Sequence, residues 1–131
     1  MRTNADLTLY NKYLVNRVEV WQRVEILQVQ WEQRHARNQN DSDDLATIYI
    51  PLARGDDYLT PRNWQALGSK SGYWTLQVGD VVVKNLVEDE ISVSTPLSLL
   101  KNTYDDVLVI TSVDVRDFGS PDLQHWQVGA K

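Results

Sequence analysis

A mainly β fold is what the sequence predicts: a small β-barrel or sandwich with one or two short helices and a long polar loop, as one domain over residues 1–131. Three observations predict it. Strand-like runs, alternating or rich in strand formers, lie at Leu45–Leu52, Asp106–Val115 and Leu123–Val128. Turn residues punctuate the chain at Gly79-Asp80 and Gly119-Ser120-Pro121-Asp122. Helix openings occur only at Thr60-Pro61 and Thr95-Pro96.

In chain order, Leu7-Thr8-Leu9-Tyr10 alternates and starts a short strand. From Val18 to Arg34 the apolar residues change parity near Ile26-Leu27, as a bulge or bend requires. Leu14, Val18, Trp21, Gln28 and Trp31 approximate a helical stripe, so one bent strand, two strands and a helix all remain open. Strand is favoured by the Val, Ile and Trp content and by the missing helix caps. Gln33 to Asp44 is a polar loop, and residues 38–44, with no apolar group to repay ordering, are expected to be mobile until a neighbour orders them.

Leu45–Leu52 is a strand whose Pro51 marks an edge or exit. Thr60 caps a short helix that Gly68 closes, with Trp64 and Leu67 facing the core together. Tyr73–Val78 and Val81–Leu86 read as strands around a tight Gly79-Asp80 turn. Ile91–Ser94 is a further short strand, and Thr95-Pro96 opens a second helix through Leu97, Leu99 and Leu100. In Asp106–Val115 the residues Val107, Val109, Thr111, Val113 and Val115 share one face. Leu123–Val128 returns as its partner, with Trp126 in the core and His125 outside.

Composition narrows the function classes. The 131 residues are 42% hydrophobic and 24% charged, ordinary for a soluble domain. No apolar run approaches the roughly 20 residues of a membrane span, and the first residues lack the apolar stretch of a secretory signal. The expectation is a soluble protein made in the cytoplasm, with no membrane partner. With no cysteine and two histidines, disulfides, thiolate metal sites and cysteine catalysis are excluded within the chain. Net charge is −5, divided as +2 over residues 1–40 and −7 over residues 41–131. An acidic domain repels phosphate backbones unless folding gathers its arginines on one face.

Few residues invite chemistry. Asn40-Asp41-Ser42-Asp43-Asp44 resembles the start of a calcium loop but lacks its glycine and distal glutamate, and reads as a solvated acidic loop. Asn40-Asp41-Ser42 is also a formal glycosylation sequon, which means little without a secretory signal. Glu88-Asp89-Glu90 and Asp105-Asp106 have no accompanying nucleophile or metal set, and read as surface charge at turns. No catalytic, cofactor or metal residue is assigned. Arg34, His35 and Arg37, beside Trp31, are the candidates for a surface facing DNA or an acidic neighbour. Five Trp and six Tyr against one Phe suit wet interfaces, and Trp21, Trp31 and Tyr58 are the candidates for subunit contacts.

Thr8-Leu9-Tyr10-Asn11-Lys12-Tyr13, Leu76 with Gly79-Asp80 and Val82-Val83-Lys84, Ile110-Thr111-Ser112-Val113-Asp114 and the ending His125-Trp126-Gln127-Val128-Gly129 with Lys131 resemble one family. It comprises small proteins of the structural modules of tailed phages and prophages, encoded between head and tail genes. The chain departs from that pattern at Asp117-Phe118 and Ala130. The resemblance implies a non-enzymatic virion subunit: a head-closure or head–tail connector component, arranged as a ring of copies between portal or adaptor and tail proteins, with passing DNA contacted, if at all, without sequence readout. The alternatives are a tail-terminator or minor capsid protein and, in a different class, a small glycan-binding or hydrolytic β module.

Overall fold

The computed structural model describes residues 3–33, 45–92 and 95–131. Six strands, β1 (Ala5–Val15), β2 (Val18–Gln33), β3 (Ala46–Pro51), β4 (Val81–Lys84), β5 (Val107–Arg116) and β6 (His125–Ala130), form a closed antiparallel barrel in the order β1-β2-β3-β6-β5-β4. Pairing of Leu7–Tyr10 with Val81–Lys84 closes the sheet, so the fold is a barrel and not a sandwich. Two short helices, α1 (Pro61–Gln65) and α2 (Leu97–Thr103), lie in the connections.

β2 is one bent strand. Leu7 faces Ile26 but Ala5 faces Val29, so Leu27 and Gln28 together oppose Asp6. That extra residue is the bulge that the parity change demands. Gln28 takes φ 58°, and its N–H donates to Asp6 Oδ1 at 2.9 Å. Arg54 secures the bulge from the other side, donating to the Leu27 carbonyl at 3.0 Å and to the Gln28 side chain. Ile26 lies inside before the bulge, and Val29 and Trp31 after it.

The barrel interior is filled. Leu7, Leu9, Ile48, Ile50, Val82, Leu108, Ile110 and Val128 join Ile26, Val29 and Trp31 there. A second apolar layer lies outside β1, β4 and β5. Tyr10, Val81, Val83 and Val107 pack there against Val87, Ile91 and Leu100, under the connection that carries α2. β4 and the start of β5 are therefore apolar on both faces, the pattern of strands covered on both sides. The single core face expected for β5 is corrected: Leu108 and Ile110 point inward, Val107 and Val109 outward, and a register shift between Ile110 and Ser112 turns Val113 back toward the core.

The long connection between β3 and β4 folds over one mouth of the barrel. Tyr73–Val78 is not a strand; apart from one bridge between Tyr58 and Trp74 it follows an irregular path. Asn11 explains how. Its carboxamide donates to the Thr75 carbonyl at 2.8 Å and accepts from the Thr75 N–H at 3.1 Å, doing for that backbone what a neighbouring strand would do. Leu76 and Trp74 enter the core on either side of Thr75. Gly79 (φ 97°) then turns the chain into β4, which ends at Lys84 instead of Leu86. Ile91 and Ser92 are not strand, and residues 93–94 lie outside the described residues.

Both helices open without a side-chain cap bond. α1 ends at Gln65, with Ala66 as its C-cap, before reaching Gly68, and the residue before α2 is Pro96, not Thr95. Trp64 is buried as expected, whereas Leu67 is only half-buried.

Trp126 forms the seal of the covered mouth. Its ring lies 4.5 Å from that of Tyr58 and 5.6 Å from that of Trp74. Gly55 comes so close that an added Cβ would stand 2.6 Å from Trp126 Cη2 and 3.0 Å from the Leu52 carbonyl oxygen. Gly55→Ala is therefore expected to cost about 1–3 kcal/mol, the range for overpacking. Urea denaturation should show a lower midpoint at unchanged slope.

Candidate functional site

The most prominent surface feature is an arm. β1 pairs with β4 only through Leu7–Tyr10, and β2 with β3 only from Gln30 onward. Beyond those points β1 and β2 have only each other as strand neighbours and run out of the barrel as a two-stranded ribbon. Asn16 (φ 51°) and Arg17 (φ 67°) close it in a two-residue turn with both central residues left-handed, the geometry that matches the twist of a hairpin.

The root of the arm is fastened from several sides. Gln22 donates to the carbonyls of Lys70 at 2.9 Å and Tyr73 at 2.7 Å. Gln65 donates to the Lys12 carbonyl at 3.0 Å. Tyr13 meets Trp64 edge to face at 5.6 Å, with the Lys70 ammonium 4.8 Å from the Tyr13 ring centre. Asp80 is buried beside Asn11. It accepts from Asn11 Nδ2 at 2.8 Å, from the Lys12 N–H at 3.1 Å and from Gln77 at 3.0 Å. Burial pushes its carboxyl above the usual carboxylate range, against the pull of those three donors.

The tip is apolar and unfastened. Leu14 is 67% exposed, Val18 60% and Val15 46%. Register puts Leu14 on one face of the ribbon and Val15 and Val18 on the other. Exposed apolar side chains gathered at the end of a fastened ribbon form a candidate contact surface.

A second feature is a groove of about 710 Å³ on the outer face of β2, β3 and β6 and the β5–β6 turn. Tyr49 and His125 meet in it at 5.3 Å between ring centres. Phe118, 69% exposed, and Leu123, 59% exposed, form its apolar wall, with Glu32 and Arg116 at the polar side. Among the described residues Arg116 Nε is buried without a hydrogen-bond partner. Another groove, about 620 Å³, lies over the β2 bulge, but Arg54 in it is already committed to Leu27 and Gln28.

Elsewhere on the barrel, the Tyr10 hydroxyl donates to the Asp89 carbonyl at 2.6 Å, and burial pushes its phenol up to about 12, so it stays protonated. Arg23 lies 3.1 Å from Glu25 and 3.6 Å from Glu90. Glu90 is thus engaged in a surface ion pair, in keeping with the expectation for the Glu88–Glu90 run. Among the described residues no group of three His, Asp or Glu is placed to hold a metal, and no helix is long and apolar enough to cross a membrane.

Arg34, His35 and Arg37 lie outside the described residues, as do the calcium-like segment and the sequon at residues 40–44. Trp31, only 3% exposed, belongs to the barrel interior, so its ring is not offered to a neighbour. Tyr58 is half-buried against Trp74 and Trp126, and Trp21 is half-buried with the Lys12 ammonium 5.6 Å from its ring centre. Trp64, Trp74 and Trp126 are buried as well, so most of the tryptophan excess serves the chain's own core. Sequence reasoning missed Leu14, Val15, Phe118 and Leu123. The signal for the arm was present, as Leu14-Val15 and Val18 flank the polar pair Asn16-Arg17.

No curated protein and no solved structure matches the chain. A family model matches residues 2–131, and the chain belongs to that family, a family of unknown function designated DUF6751.

Proposed function

We propose that the chain is a structural virion subunit of a tailed phage or prophage, a head-closure or head–tail connector component that assembles as a ring. One observation carries the reading: a ribbon fastened at its root and apolar at its tip projects from a barrel whose interior is filled by its own side chains. A rigid barrel with a protruding apolar arm suits a part held by neighbours. A tail-terminator or minor capsid role uses the same parts and differs only in the neighbours. The virion is the proposed location, and copies of the chain, portal or adaptor and tail proteins are the proposed partners.

The test is reconstitution with a portal complex from the same genome, followed by imaging. The expected result is added ring density on the portal. Failure to join any head or tail intermediate, together with turnover or binding of a glycan in the Tyr49–Phe118 groove, would instead support the small glycan-binding or hydrolytic module.

A further inference from the structure

We propose that the β1–β2 arm of one copy seats in the Tyr49–Phe118–Leu123–His125 groove of the next, so that copies join head to tail; this rests on the ring assembly proposed above. The arm and the groove match in chemistry: each exposes apolar side chains and carries charges of both signs. The arm offers a narrow wedge, Leu14 on one face and Val15 and Val18 on the other, all substantially exposed. The groove offers an apolar wall of matching character, Phe118 and Leu123. Charges alternate in sign on both sides. Arg17 and Glu19 flank Val18 on the arm, while Glu32 and Arg116 stand in the groove. Arg116 makes no ion pair with another described residue, and its guanidinium is the cation at the groove that a carboxylate such as that of Glu19 would meet. Within the chain Glu19 has only a 3.8 Å contact with Lys12, both side chains being well exposed, so it is free to exchange partners.

The occupant is a second copy and not the chain's own arm. Gln30, on the floor of the groove, is twelve residues along β2 from Val18, on the order of 40 Å of strand. A fastened ribbon does not fold back over that span. Because arm and groove are different patches, the contact is heterologous, and it closes into a ring or continues as a filament according to the rotation between copies.

The chain has no cysteine, so paired substitutions report the contact without interference. Val15→Cys with Leu123→Cys, in the full chain under mild oxidation, is expected to give a ladder of dimers, trimers and larger species on a non-reducing gel. Each single-cysteine variant is expected to stay monomeric, because neither the arm tip nor the groove meets its own copy, and mixing the two variants is expected to give one mixed disulfide dimer. A disulfide captures a weak contact, so no portal template is needed. Adding Leu14→Glu and Val18→Glu is expected to reduce the ladder by about 10-fold or more. Both positions are exposed, and an unchanged denaturation midpoint confirms that the variant still folds. A double-cysteine chain that stops at dimers, or closes on itself as a fast-migrating monomer, overturns the proposal. So does a ladder indifferent to the two glutamates. A ring on the portal without the arm–groove disulfide would refute this contact and leave the assembly standing. The ladder without any portal ring would do the reverse.

Discussion

Replacing Trp126 by alanine is expected to remove about 3–5 kcal/mol of stability, the usual cost of emptying a buried tryptophan site. The site cannot easily collapse. Trp126 is 5% exposed, lies on β6 between β3 and β5, and touches the rings of Tyr58 and Trp74. Its β-sheet neighbours are fixed by ladder bonds on both sides, so only the Tyr58 and Trp74 rings are free to shift into the void. Domains have about 5–15 kcal/mol in total, so the loss is a large share of the stability and should lower the denaturation midpoint markedly. The neighbouring substitution His125→Ala provides the contrast. That ring points to the outer face, and its loss should change stability by about 1 kcal/mol or less. Denaturation midpoints of the two variants measure the difference directly.

Asn11→Ala should cost about 2–4 kcal/mol without removing any apolar contact. The change leaves the Thr75 N–H and carbonyl without partners and takes a donor from Asp80, and buried groups left unsatisfied cost about 1–3 kcal/mol each. Entry of water lowers the sum. The same network sets a pH dependence. Burial, the largest influence on Asp80, raises its folded pKa above the unfolded value of about 3.9. The native state therefore keeps this proton to higher pH than the unfolded chain does. The linked stability is fully present below the unfolded value and is lost as pH rises through the folded one. Asp80→Asn removes that dependence. The advantage of the native sequence over Asp80→Asn is expected to be largest in acid and to shrink as pH rises across the carboxylate range. Urea denaturation of both proteins at a series of pH values checks it, and an advantage that grows with pH would contradict the assigned direction.

Much of the barrel was legible because period-two runs carry their own register. Ile48 and Ile50 point inward, as their alternation required, and the parity change at Ile26-Leu27 announced the bulge that bends β2. Where a strand is buried on both faces, alternation is uninformative. Val81-Val82-Val83 and Val107–Ile110 are apolar throughout, and only the second layer under α2 explains why. Tyr73–Val78 carries strand-forming residues but was drawn into the barrel mouth by the Asn11 side chain, a long-range contact of 64 residues that no local pattern encodes. The candidate surface was legible least. Asn16-Arg17 is a poorer hairpin signal than Asn-Gly, and exposure of Phe118 and Leu123 depends on how the β5–β6 turn sits over the groove. The tryptophans point the same way: their number suggested interfaces, but Trp31, Trp64, Trp74 and Trp126 are buried in the chain's own core.

The assembly claim is tested most directly by the protein composition of virions purified from an induced culture of the cell that encodes the chain. Quantitative mass spectrometry is expected to find the chain in intact particles at a fixed small number of copies per portal, retained through high-salt washing. Its absence from particles, with the protein recovered only free in the lysate, would contradict a structural role in the virion.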